Sequence, residues 1–556
     1  MQPHTRSGLT QARPIGDKTL KPKSRGAGRS RLAFAALLAA TLANAHADRI
    51  SYWADESQVA QAQARLGLPR PLALAASWDR ELVQQSYSLL GAELARAHKQ
   101  AALTPELDVL RDLRRGDASA GFGEDPFLTG ELGVAAVQGL QTPAKGKPQI
   151  WSVVGHVAGP QLPPAGSDLG PIPVSPRELR EVFLAPFERV AKQAQPGGLL
   201  MSDNEIDGIP SHGNAALIGR IRQEGQFKGA VVGSTEGLQA LIETYHVAAS
   251  PEEAVRLARR TGFDAMAFGP ISMLTDKTGK PGGPPAQAPA NPSERAAREA
   301  VVLLKNDGAL PLSKSRPMPV LRVADASPAA LSRLKPPAGR YVLVLSGRLP
   351  LPSEALTALV EQACAVLAGF ELGTHGEKAL DEALHGRVNP GGKLPLSLAR
   401  NEGQLPMFYN VKPSAWRGYL FDTTEPLFPF GWGLSYTRFE IGAPVPASAS
   451  IRIGEAARVS VSVRNSGARA GDEVVQLYLH HKTASTTEPV KQLVGFARVS
   501  KLQPGESRQL EFSVSAEQLS LWNEQMQRVQ EAGEIELMAG SNSVELQAVT
   551  LKVQEQ

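Results

Sequence analysis

A single cysteine, Cys364, excludes any intrachain disulfide framework from this chain. It sits among Leu359, Val360, Ala363, Val366 and Leu367, an apolar stretch that reads as helical and predicts a buried structural thiol. Beyond residue 47 no segment is apolar enough to span a bilayer, so the mature chain is expected to have no membrane span. No His/Cys/Asp cluster has the spacing of a metal site, and no glycine-rich loop has the form that cradles phosphate, so no cofactor and no metal are expected. Basic surface is also scarce. The formal charge is +4, but residues 1–47 hold eight Lys/Arg against Asp17, which assigns +7 to the leader and leaves −3 for the rest. That balance argues against a nucleic-acid partner.

What is present is ordered along the chain. The run LAFAALLAATLANAHA (32–47) follows a basic segment and ends in Ala45-His46-Ala47, which predicts a secretory signal peptide cleaved before Asp48 and a periplasmic or secreted protein. As a membrane anchor the run is short of the ~20 residues a spanning helix needs. From about 71 to 273 short apolar runs alternate with helices, a pattern that implies a mainly parallel sheet. SPRE (175–178) and SPEE (250–253) are helix starts, and Gly262 is a helix stop. KTGKPGGPPAQAPANP (277–292) cannot build a core and marks a linker. A second α/β region follows, with helices expected at 293–305 and 353–368 around a strand at 341–347. After about 440 the apolar period becomes two, as in Val459, Val461 and Val463, which predicts an antiparallel β-sandwich. The division expected is therefore 1–47, 48–276, 277–292, 293–440 and 441–556.

One stretch raises a chemical question. GAVVGSTEGLQAL (229–241) reads as a buried strand that ends in small polar residues and turns into a helix. Barrel enzymes present catalytic groups at such strand ends. Here the group presented is the hydroxyl of Ser234, with Glu236 two places on.

In order, PLALAASWDREL (71–82), GFGEDPFLTG (121–130), NEIDGIPSHGN (204–214), AREAVVLLKNDGALPL (297–312), NPGGKLPLSL (389–398), FPFGWGLSYTRF (428–439) and GDEVVQLYLH (471–480) resemble glycoside hydrolase family 3, of the β-glucosidase/β-xylosidase type. The resemblance implies a (β/α)8-type barrel, here incomplete, an α/β sandwich and a C-terminal fibronectin-type-III-like β-sandwich. It also implies retaining hydrolysis of terminal β-linked sugars, in which one carboxylate attacks the anomeric carbon and a carboxylic acid protonates the leaving oxygen.

The same alignment places substitutions at the positions that carry that chemistry. The family's Ser-Asp-Trp/Tyr nucleophile motif falls on Gly233-Ser234-Thr235, so the nucleophile position is Ser234. Its Lys-His-Phe motif falls on Gly155-His156-Val157, and the last Arg of its Arg-Asp-Pro-Arg-Trp-Gly-Arg stretch falls on Asp117, with Arg115 in place of Trp. Ala120 stands where an acid is expected, residues 48–70 supply no strand for the sugar-binding Asp, and the acid/base loop is missing between Leu312 and Tyr341. A hydroxyl cannot replace a fixed anion beside a cation-like sugar. The expectation is therefore an exported family member impaired in hydrolysis, with residual binding of an oligosaccharide or β-glycoside around Gly155, His156 and Asp117. The alternative is an active β-glucosidase or β-xylosidase that recruits Glu236. If 234–236 stays extended, Glu236 faces the same way as Ser234; otherwise it caps a helix or meets solvent. Asp108 is expected to pair with Arg111 or a backbone amide, and Trp432 and Tyr436 to pack between domains rather than on sugar.

Overall fold

Six short parallel strands follow one another in the first sheet of the computed structural model, which describes residues 52–555 apart from 115–117, 160–166, 314, 316 and 416–421. The leader and Asp117 lie outside the described residues. The strands are β1 (Trp53–Ala54), β2 (Ala101–Glu106), β3 (Trp151–Val157), β4 (Gly198–Met201), β5 (Ala230–Gly233) and β6 (Ala265–Met266), hydrogen-bonded in that order. Their side chains alternate between two buried faces. Ala101, Leu103, Val153, Leu200, Ala230, Val232 and Ala265 gather with Trp53 on one face, while Ala102, Val154, Leu199 and Val231 join the helices on the other.

The sheet is thus a partial barrel, as expected, but one expectation is overturned. Residues 48–70 do supply a first strand, β1, paired with β2 through Trp53–Ala101 and Ala54–Ala102. Only two residues long, it is too brief to show an alternating pattern in sequence. Its indole also reaches the far end of the sheet: Trp53 Nε1 donates to Gly269 O at 3.0 Å.

The second sheet holds β7 (Val302–Asn306), β8 (Val320–Val323), β9 (Val342–Gly347) and β10 (Ala365–Phe370), in the order β7-β10-β9-β8. The helices expected at 293–305 and 353–368 are each shorter, ending at Glu299 and Gln362, and their remaining residues form β7 and β10. A short run buried on both faces has no period to distinguish strand from helix. Cys364 is buried as expected, but in the turn before β10, where its sulfur accepts from Arg340 Nε at 3.0 Å. Beyond these come two antiparallel-rich sheets built around Ala457–Asn465 and Gly471–His481, with Val459, Val461 and Val463 fully buried. That is the expected fibronectin-like sandwich. Among the described residues no helix is long and apolar enough to cross a membrane.

The motifs that carried the resemblance meet at one junction. Trp78 packs on Phe430 and Phe496, each 5.3 Å away between ring centres, and its Nε1 donates to Lys393 O at 3.2 Å. Lys393 pairs with Glu473 at 2.7 Å, both side chains at most 6 % exposed. Glu124 accepts from the amides of Ser397 and Tyr409 at 2.6 and 3.0 Å, and the Tyr409 hydroxyl donates to Asp125 at 2.8 Å. Trp432 Nε1 donates to Leu304 O and the Tyr436 hydroxyl to Ala383 O, which places both aromatics in packing, with these partners inside 293–440 rather than across a domain boundary.

Candidate active site

The carboxyl ends of the strands deliver one polar group after another to the barrel mouth, the position where such folds build their sites. After β1 come Asp55 and Glu56, after β2 Asp108, near the end of β3 His156, after β4 Asp203 and after β5 Ser234. Asp55 caps helix α1 (Glu56–Arg65) by accepting from Gln58 N at 2.7 Å. Gly155, expected to border the sugar, is a buried strand residue whose carbonyl accepts from Leu107 N at 2.7 Å.

Two constellations share this mouth. In the first, Asp108 is buried and accepts from His156 N, while its second oxygen lies 3.0 Å from His156 Nδ1. Glu56 lies 3.1 Å from Nε2 of the same ring. Burial disfavours the charged imidazole, but the Asp108 carboxylate, aided by Glu56 and Glu106, outweighs it and holds His156 well above the usual imidazole range. The local partner expected for Asp108 is therefore half right. It does accept a backbone amide, but Arg111 instead donates to Asn410 Oδ1 at 2.6 Å and lies over the ring of Phe408. Asp108 is an interior residue, and its partner arrives from a neighbouring strand. Glu106, Asp108 and His156 also bring ligand-type atoms within 4.8 Å of one another, a grouping that chain spacing did not reveal. Both ring nitrogens face carboxylates, Nδ1 toward Asp108 and Nε2 toward Glu56.

The second constellation centres on Ser234. It caps helix α2 (Thr235–Glu243): its Oγ accepts from Gly237 N at 2.8 Å. The same hydroxyl donates its proton to Asp203 Oδ1. Its backbone N–H donates to His212 Nε2 at 2.9 Å. His212 is buried, stacked on Phe263 at 4.9 Å, and burial pushes its imidazole down to about 4. Since Nε2 accepts, the neutral ring carries its proton on Nδ1, 3.9 Å from Asp203 Oδ1. A Cβ on Gly237 would stand 2.2 Å from His212 Cε1, so the ring needs glycine there. Burial raises the Asp203 carboxyl above its ordinary range, opposed by the Ser234 hydrogen bond and the charge on His156.

Glu236 does not meet the geometry that would let it replace a nucleophile. The helix starts at Thr235, so Glu236 is not extended beside Ser234 but exposed in the first turn. The cap of that helix is Ser234 itself. Sequence reasoning missed Asp203 and His212. The available signal was the run GLLM (198–201) followed by Ser202-Asp203-Asn204, which has the same apolar-to-polar form as the stretch around Ser234. A cavity of about 730 Å³ lies between the barrel helices and the sandwich, and neither Asp203 nor Ser234 lines it.

Comparison with known proteins supports the same identification. Residues 54–273 match the glycosyl hydrolase family 3 N-terminal domain, 321–436 the family 3 C-terminal domain and 473–543 a fibronectin type III-like domain. A periplasmic β-glucosidase of Salmonella typhimurium is 26 % identical over 86 % of this chain and 83 % of its own length. A β-xylosidase of Formosa agariphila is 27 % identical over 87 % of each. A β-glucosidase structure from Erythrobacter marinus superposes with a TM-score of 0.77 at 27 % identity, covering 88 % of this chain and 85 % of that one. A Listeria innocua β-glucosidase in complex with glucose gives 0.76 at 25 % identity, covering 87 % and 86 %.

Proposed function

Because the chain belongs to glycoside hydrolase family 3, we propose that it is an exported protein that binds the terminal sugar of a β-glucoside or β-xyloside at the barrel mouth and hydrolyses ordinary β-glycosides poorly. The observation that carries this reading is the state of the Ser234 hydroxyl. One of its lone pairs accepts from Gly237 N and its proton points at Asp203, a carboxylate too weak a base to generate an alkoxide, so the hydroxyl carries no charge and is not activated for attack. The missing acid/base loop acts in the same direction, since an alkoxide leaving group departs only with a proton. The basic leader and the periplasmic relative support export. The division at 48–276, 277–292, 293–440 and 441–556 belongs to the same proposal, supported by the absence of helix or strand from 279 to 292.

In this reading the mouth keeps the elements that hold a sugar and loses those that cut it. His156 is fixed by Asp108 at Nδ1 and faces the half-exposed Glu56 at Nε2, a contact that a sugar hydroxyl would replace, and Asp203 and Glu56 are acceptors for hydroxyls. The test uses the mature chain with cellobiose, xylobiose and the free monosaccharides, measured by calorimetry and product release. Binding without turnover is expected. A kcat of about 1 s⁻¹ or more, the lower end of ordinary enzymes, overturns the reading.

A further inference from the structure

The alignment of Ser234 with the family nucleophile leaves one anion unaccounted for. Asp203 stands at the end of β4, the neighbour of β5 in the sheet, and receives the Ser234 hydroxyl proton on Oδ1. A carboxylate therefore lies one hydrogen bond from the side chain whose position would otherwise have carried it. We propose that Asp203 is the displaced nucleophile of this site: its carboxylate faces the anomeric carbon of a bound β-glycoside and forms a glycosyl ester with it whenever the leaving group needs no proton. The inference rests on the barrel mouth being the glycoside site.

Three observations support it. First, the backbone around Asp203 is held from both sides. Ser202 N donates to Val157 O at 2.7 Å, Asn204 Nδ2 to Ala158 O at 3.1 Å, and Ser211 Oγ to Asn204 Oδ1 at 2.8 Å. The Tyr245 hydroxyl lies 2.8 Å from Asp203 O. A nucleophile needs this kind of support, because a reacting atom misplaced by an ångström loses most of its advantage. Second, Asp203 remains accessible, with a side chain 24 % exposed, whereas Asp108 is 1 % exposed and committed to His156. Third, its charge is only partly compensated. Ser234 gives it a neutral donor, His212 Nδ1 at 3.9 Å belongs to a ring held neutral by burial, and the charge on His156 offsets only part of the effect of burial. Glu236 is accessible as well but stands exposed in the first turn of a helix, without the fixed strand-end backbone or the Ser234 hydrogen bond that Asp203 has.

The step balances without an acid. An Asp203 oxygen bonds to the anomeric carbon, the bond from that carbon to the aryl oxygen breaks, and its electron pair leaves with a dinitrophenolate, which needs no proton. Ser234, already donating to the same carboxylate, continues to donate to the ester carbonyl. Release follows when azide attacks the anomeric carbon and expels the Asp203 carboxylate, giving a glycosyl azide. Water does the same only slowly, because no base is placed to take its proton.

The experiment treats the mature chain with the 2,4-dinitrophenyl 2-deoxy-2-fluoro-β-glucoside and its xyloside counterpart, with saturation followed by tryptophan fluorescence and the adduct located by peptide mass spectrometry. One fluorosugar on Asp203 is expected. With the non-fluorinated dinitrophenyl glycosides, azide should accelerate dinitrophenolate release. Asp203→Asn keeps an acceptor oxygen for the Ser234 hydroxyl and should still bind saturably, more weakly than the wild type, yet lose the label and at least on the order of 10²-fold of the azide-dependent rate. Asp203→Glu retains the charge and the Ser234 acceptor and should label on the order of tenfold more slowly. Glu236→Gln should leave the azide-dependent rate within about twofold, as expected for a side chain in solvent. Saturable binding with no adduct, or an adduct on any other residue, overturns the inference and leaves the mouth as a sugar site. No binding at all overturns both.

Discussion

The junction between the three sheets and the mouth of the barrel are built from the same kinds of residue and have opposite characters. At the junction the central polar groups meet their complements. Lys393 meets Glu473, Glu124 takes two amides and the Ser397 hydroxyl, and Tyr409 bridges Asp125 and Leu493 N. At the mouth one half is equally settled, with His156 between Asp108 and Glu56, while the other leaves Asp203 with a neutral donor and partial exposure. Buried polar groups that are fully paired fix a fold, and one left short of compensation is available for chemistry. The comparison separates residues whose loss costs stability from residues whose loss costs reactivity.

The largest effect should come from breaking the junction. Glu473→Ala leaves the Lys393 ammonium buried without its partner and should cost about 3–5 kcal/mol in urea-unfolding free energy, whereas Asp203→Asn should leave the unfolding midpoint nearly unchanged. Next is a pH effect from His212. Its folded value of about 4 lies below the ordinary ~6.5, so the unfolded chain takes up the proton first. Its contribution to stability is complete above about 6.5 and is lost as pH falls toward 4, by on the order of 3 kcal/mol. His212→Gln retains an acceptor for Ser234 N and should flatten that slope in denaturant titrations between those pH values. Gly237→Ala drives a methyl into the His212 ring and should cost about 1–3 kcal/mol, shifting Ser234 and reducing Asp203 labelling with it. The smallest is Ser234→Ala, which removes the cap of α2 and should cost about 1 kcal/mol by thermal unfolding. It should still label at Asp203, which distinguishes a supporting hydroxyl from an attacking one.

Much of the architecture was legible because it rests on local signals. Ser175 and Ser250 cap their helices, Gly262 ends one with φ of 109°, and the Val459–Val463 alternation is a buried strand face. The elements misread were those without a period, β1, β7 and β10. At the site, Ser234 was legible as a substitution, but its meaning was not, because its partners lie 31 and 22 residues away, on other strand ends and turns. Sequence spacing cannot show that Asp203 and Ser234 come from adjacent strands until strand order is known. The pairing of His156 with Glu56, 100 residues apart, was hidden for the same reason.

The bond from the Trp53 indole to the Gly269 carbonyl spans 216 residues. A polypeptide threaded out of a ribosome or a translocation pore presents the donor long before the acceptor exists. The opening strand can pair with β2 as soon as residue 102 is out, but its indole stays without this acceptor until the whole barrel sequence has emerged, so the last fastening of the sheet joins its first strand to its final turn.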